Sequence, residues 1–279
     1  TVPDSVALAM ELKTSLVKAS TLPNPEDYVT VTAVIPTFNT SDSLKWIPNG
    51  EETVKMALVG MHIVGSLAGH PEMAWSTFEQ QSNTPNALYQ YVNNQHKIVT
   101  VPRDTGNNWL FNGNQNDSSN ISHMTVRNPS GYKQKTSDTI RAKNGFSISP
   151  SSTLGVLPWG SAKDSVTNQE DQSSAKSNSE IISINYAIQK MLSPSDVRSK
   201  YLQIGATWTM GGAAPTGGVY GVDGTAPGVS IGTSVLANTT METYFQQPIY
   251  SCFTCHSGSP ASLSPGEISH IYSVIGPLT

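Results

Sequence analysis

Apolar side chains recur at every second position from Val6 to Leu16: Val6, Leu8, Met10, Leu12 and, past Thr14, Leu16. A period of two is that of a strand with one covered face. A second stretch, Tyr28-Val29-Thr30-Val31-Thr32-Ala33-Val34-Ile35, is β-branched and predicts a strand ending at Pro36, with Pro23 and Pro25 bracketing the turn before it. Val54, Met56, Leu58, Gly60 and His62 alternate again. Gly65, Ser66 and Gly69 then predict a turn, and Met73-Ala74-Trp75-Ser76-Thr77-Phe78 another strand. Residues 1–105 therefore read as a β-rich region, an antiparallel, sandwich-like sheet.

Periodicity fades over 106–180, a loop-rich surface region with a polar run at 112–120 and another at 161–179. It returns with helical spacing at Ile181, Ile184, Ile188, Met191 and Leu192, and a second helix is predicted from Ser195 to about Leu202, with Asp196 in its first turn. Gly211 to Gly228 is rich in Gly, Ala and Pro. It lacks G-K-[ST] and reads as a flexible loop, not a phosphate loop. A short helix is expected over 235–245. A last one opens on the capping box Ser264-Pro265-Gly266-Glu267, carries Ile268, Ile271, Tyr272 and Ile275, and stops at Gly276-Pro277. The fold class is α+β: a β-rich body (1–105), long loops (106–180) and a short helical C-terminal region (181–279), folded as one integrated domain.

Composition narrows the function. Apolar residues make up 37% of the 279, enough for a packed core. Lys and Arg number 16 against 20 Asp and Glu, so no basic excess exists to neutralise phosphates, and nucleic acid is excluded as a partner. No apolar run reaches the length of a transmembrane helix. Charged residues are only 13%, with Ser, Thr, Asn and Gly in their place, which points to a periplasmic or extracellular protein. The chain opens on Thr1-Val2-Pro3 and is expected to be a processed product.

The two cysteines carry the chemistry. Cys252-Phe253-Thr254-Cys255-His256 is a C-x-x-C-H sequence, the pattern of covalent haem c attachment. Two thiols at this spacing reach the vinyl groups of one haem edge, and the adjacent His256 serves as proximal ligand. A thioredoxin-like pair would need a βαβ context, and only 23 residues follow His256. A zinc site would need a second ligand pair, and no further cysteine exists. One covalent haem c is the expected cofactor.

The same 23 residues contain no Met, so this is not the small class I cytochrome c fold, in which a distal Met follows the motif. The haem must be covered from upstream. His62 and His70 are the alternative distal ligands. Around His62 the small residues Gly60, Gly65, Ser66, Ala68 and Gly69 leave room for a macrocycle. His270, on the last helix, is a candidate for a haem propionate. Met61, Met73, Met210 and Met241 are sulfur-ligand candidates, Glu72 and Glu79 distal acid–base candidates, and Trp75, Trp159 and Trp208 candidates to pack on the ring. His96 and His123 read as surface residues.

Residues 56–66, Gly69-His70-Pro71-Glu72-Met73-Ala74-Trp75-Ser76-Thr77-Phe78-Glu79, residues 236–246, the C-x-x-C-H segment, Leu263-Ser264 and Ser269-His270-Ile271 together resemble a largely uncharacterised family of bacterial mono-haem cytochromes c. The resemblance implies one covalent haem and export. Such proteins often carry a further His after the T-F-E segment, where this chain has Gln80. The expected function is single-electron carriage between a redox partner protein or a small donor and acceptor. The alternatives are a haem enzyme acting on peroxide or a small substrate, and a haem-bearing structural, sensor or self-assembling extracellular protein.

Overall fold

The computed structural model describes residues 10–112, 124–126, 139–142, 146–148, 152–160, 172–216, 226–233, 236–242, 252–256 and 268. The predicted strand start at 6–9, most of the polar run at 112–120, His123, the middle of the Gly-rich loop, the capping box and His270 lie outside the described residues.

The body is strand-rich and antiparallel, as the alternation predicts. Strand β3 (Lys45–Leu67) is its hub. Residues 47–57 of β3 pair with β2 (Thr30–Asn39), and residues 56–65 with β1 (Met10–Lys18). Its last part pairs with β4 (His70–Gln80), which in turn pairs with β9 (Tyr201–Thr209), and β9 with β10 (Ser230–Gly232). Near its start, β3 meets β8 (Ile140–Ala142), which carries β7 (Met124–Val126). A separate two-stranded sheet joins β5 (Tyr89–Val92) to β6 (Ile98–Val101). The 23-residue length of β3 follows from its partners: successive stretches of it pair with different strands.

Several sequence expectations need correction. Strand β2 does not end at Pro36 but runs through it to Asn39, with Pro36 opposite Glu51. Among the described residues it pairs with β3 alone, and proline, having no N–H to give a second neighbour, is tolerated on such an edge. Residues 172–179, expected as loop, form the first turns of α1 (Gln172–Met191). The helix gains from burying polar groups: Asn178 Nδ2 donates to Gln90 O at 2.7 Å and Asn185 Nδ2 to Gln203 O at 2.7 Å. Those side chains answer carbonyls of β5 and β9, so the low apolar content of this face does not forbid a packed helix.

The helix expected over 195–202 is a single 3₁₀ turn, Val197–Lys200, capped by the Asp196 side chain on Arg198 N. From Tyr201 the chain becomes β9, whose β-propensity and pairing with β4 override the helical reading. The C-terminal third is therefore not purely helical: β9 and β10 complete the main sheet. The helix expected from 235 is also replaced, over the described 236–242, by one turn in which Met241 N and Glu242 N both bond Asn238 O.

Two apolar clusters flank β3. One joins Ala57 and Val59 to Ala19, Leu22 and Tyr28; the other joins Val64 to Met73, Trp75, Phe253 and Ile268. No helix among the described residues is long and apolar enough to cross a membrane.

Candidate functional site

Register brings the site residues to one face. Gly60 pairs with Glu79, His62 with Thr77 and Val64 with Trp75, and Trp75 is followed across the sheet by Thr207. Residues 236–242 lie over this face. A Cβ on Gly60 would stand 2.4 Å from Thr240 Oγ1 and 2.7 Å from Asn238 Oδ1, so only glycine allows the approach. The space above Gly60, expected to accept a macrocycle, is therefore filled by this segment. Asn238 holds it down, its Nδ2 donating to Thr77 Oγ1 and to Phe78 O, each at 3.0 Å.

The cysteine motif comes next along the chain. Cys252–Cys255 forms the one-turn helix α2, extended by His256 N donating to Cys252 O at 3.0 Å. Phe253, between the cysteines, is fully buried and anchors the turn in the Val64–Met73–Trp75 cluster. It meets the Trp75 ring edge-on at 6.0 Å, while the His256 ring lies 4.4 Å from Trp75. Cys252 packs on the same cluster. The His256 ring is fixed by Nδ1, 2.7 Å from Ile268 O. A carbonyl only accepts, so Nδ1 carries the proton and the lone pair is on Nε2.

Both candidate distal histidines meet carboxylates. His62 Nε2 stands 2.8 Å from Glu242 Oε2. Glu242 also accepts from Lys13 Nζ at 2.6 Å and from Asn238 N at 3.1 Å. Burial alone would raise the Glu242 carboxyl, but the His62 bond and charge, with Lys13, outweigh it and hold it below the usual range. His70 instead uses Nδ1, 2.8 Å from Glu72 Oε1. Glu72 is buried, and its Oε1 also accepts from Thr209 N at 3.1 Å. Its Oε2 is buried with no partner among the described residues.

The backbone explains this second pair. Met73 has φ of 66°, a left-handed conformation uncommon outside glycine. The β4–β9 pairing begins only at Trp75↔Thr207, and the Glu72 carboxylate supplies the acceptor for Thr209 N beyond it. Trp75 Nε1 donates to Glu72 O at 3.1 Å, which ties the indole beside His256 to the same bend.

Glu79, the other acid–base candidate, is buried and accepts from Thr239 N at 2.7 Å and from the Thr239 hydroxyl. Burial pushes its carboxyl up to about 7 against those two bonds.

Of the residues expected at the site, Cys252, His256, Trp75 and Met73 come together in one cluster with its flanks, and His62, His70, Glu72 and Glu79 stand on the two strands that carry it. Trp159 packs elsewhere, on Tyr89. His96 sits at an exposed turn, as expected. Sequence reasoning missed Glu242 and Asn238. The signal was available in Asn238-Thr239-Thr240-Met241-Glu242, where an Asn that caps a turn is followed by a carboxylate able to reach back to its N–H. Nothing in the sequence announces the left-handed Met73. Among the described residues no three His, Cys, Asp or Glu side chains gather as a metal cage. In comparisons with known proteins, the chain matches no family model, no curated protein sequence and no solved structure.

Proposed function

We propose that this chain is an exported mono-haem c-type cytochrome that carries single electrons. Cys252 and Cys255 tether one haem, and His256 is its proximal ligand. The observation that carries the reading is the bond from His256 Nδ1 to Ile268 O. Metal-ligating histidines commonly give their other N–H to a carbonyl or carboxylate, which fixes the tautomer and raises ligand basicity. The donor set thus fits a haem. When bound, haem supplies one-electron Fe(III)/Fe(II) chemistry.

His70 is the favoured sixth ligand. Its Nδ1–H is given to Glu72, so its lone pair is on Nε2, whereas His62 spends Nε2 on Glu242. Val64, Met73, Trp75 and Phe253 keep the surroundings of the motif apolar, which limits solvent access and tunes the potential of a metal centre. Helix α2 and Ile268 belong, in this reading, to a short helical C-terminal attachment region. Covalent haem attachment and the low charge favour the periplasm or the cell exterior, with electrons exchanged with a partner protein or a small donor or acceptor.

The test is the visible spectrum of protein matured in a host with the haem c attachment machinery, oxidised and reduced, with and without carbon monoxide. Haem that survives denaturation, and a low-spin spectrum that ignores carbon monoxide, are expected. Protein without covalent haem would overturn the proposal. A high-spin iron that binds carbon monoxide would replace electron carriage with the enzyme or sensor alternative.

A further inference from the structure

A cleft of about 520 Å³ opens beside the Ala57–Val59–Tyr28 cluster. Successive strand residues point to opposite faces, so Gln80, which lines the cleft, points away from the face of β4 that carries Trp75, Thr77 and Glu79. The cleft is thereby separate from the cysteine motif. Its volume is within the range of about 300–1,000 Å³ usual for small-molecule sites. Its lining includes Asn24, Tyr28, Gln80, Asn107, Asn108 and Trp109. Tyr28 is 8% and Gln80 only 2% exposed. Gln80 uses its Oε1 to accept from Ser82 N at 2.5 Å. Its Nε2 and the Tyr28 hydroxyl have no partner among the described residues, and neither atom is sealed from solvent. Two almost fully buried side chains that line the cleft therefore carry hydrogen-bonding capacity unspent.

The walls are built in advance. Leu110 N donates to Ser82 O at 3.0 Å and Phe111 N to Asn83 O at 2.9 Å, which fixes the loop bearing Trp109 to the end of β4. The turn Pro25–Asp27 is closed by Tyr28 N on Pro25 O at 3.3 Å and joined to Lys200 through Asp27 at 3.3 Å. A preformed site does not spend binding energy on ordering itself.

The lining selects its ligand by exclusion. Among the described residues no Lys, Arg or His lines the cleft, and the one carboxylate there, Asp27, is paired with Lys200, so the lining carries no unpaired charge to favour an ion. An apolar ligand would leave the Gln80 amide and the Tyr28 hydroxyl desolvated and unmatched, which is unfavourable. A ligand dense in neutral hydroxyls matches them, because a hydroxyl both donates and accepts, as do the three asparagine amides. Trp109 adds an indole with a large apolar surface, the kind a pyranose ring covers with its C–H groups. We propose that the cleft binds a neutral saccharide ring, independently of the cysteine motif.

Calorimetric titration of the full chain with D-glucose, D-galactose, N-acetyl-D-glucosamine, maltose and cellobiose tests this, with glucuronate and glycerol as comparisons. At least one neutral sugar should bind saturably. Trp109→Ala should weaken that binding about tenfold or more. Tyr28→Phe should weaken it several-fold with an unchanged melting temperature, since the hydroxyl it removes holds nothing among the described residues. Absence of binding across the sugars, glucuronate or glycerol binding as tightly as the best of them, or an undiminished affinity in Tyr28→Phe and Trp109→Ala would overturn the proposal.

Discussion

His62 and His70 stand on neighbouring strands, each 2.8 Å from a carboxylate oxygen, yet the two pairs are built for different work. His62 meets Glu242 through Nε2, and the carboxylate is shared with Lys13 and a backbone N–H. That pair clamps residues 238–242 onto β1 and β3. His70 meets Glu72 through Nδ1, and Glu72 is bonded to β9 and buried. That pair orients a ring and leaves its lone pair on Nε2. The comparison teaches that a histidine's use is decided by which nitrogen its neighbour takes.

The severest way to break the comparison is to remove the tether. Cys252→Ala together with Cys255→Ala should abolish covalent haem altogether, read as loss of the haem band after denaturation. Retained covalent haem would mean that neither histidine pair can be interpreted through this motif. Next, His70→Ala should turn a low-spin iron high-spin and open to carbon monoxide. His62→Ala should leave the spectrum unchanged but destabilise the fold by about 1.5–3 kcal/mol, the range for hydrogen bonds to charged groups. The reverse result, a spectral change in His62→Ala alone, would exchange the two roles.

The sequence made one part of this arrangement legible and hid another. Alternation identifies the antiparallel strands around Met56–His62 and Met73–Phe78 because each has a covered face, and a covered face writes a period of two. The local reading of Ser195–Leu202 fails because a cap at Asp196 looks the same before a 3₁₀ turn as before a helix, and pairing with β4 makes the residues beyond the turn a strand. The C-x-x-C-H spacing at Cys252–His256 is plain, since it is local in the chain. Its setting is not: Trp75 against His256, and Glu242 against His62, depend on contacts between residues about 180 positions apart. Gly60 is correctly marked as special, but what needs the room there is Asn238 and Thr240.

A comparable effect is read by pH. The Glu79 carboxyl, raised to about 7, holds Thr239 in the turn that presents Glu242 to His62. Between its ordinary value of 4.5 and 7 the folded state binds the extra proton, so stability is greatest below that window and falls as pH rises through it. The loss across the window is on the order of 3 kcal/mol. Denaturant unfolding from acid to neutral pH should show this slope in the parent and lose it in Glu79→Gln. Glu242, held low, acts in the opposite sense, but only below the ordinary carboxylate range. A slope that persists in Glu79→Gln would assign the titration to another group.

The finest cut is at Lys13. It contributes to the Glu242 cluster at 2.6 Å, the shortest contact there, yet its side chain is 62% exposed while that of Glu242 is 19%. Distance alone would make it the main support of the clamp. Solvent screening and the entropy of holding a long side chain argue otherwise, and exposed pairs contribute about 0.2–1 kcal/mol. Lys13→Ala should therefore cost less than about 1 kcal/mol by denaturant unfolding, with the loss shrinking further in salt. His62→Ala should cost more and respond less to salt, since the His62 side chain is 15% exposed and less screened. If Lys13→Ala matched His62→Ala, the cluster would be a surface ion network, and the contrast with the buried Glu72 pair would rest on burial alone, not on the nitrogen each histidine gives.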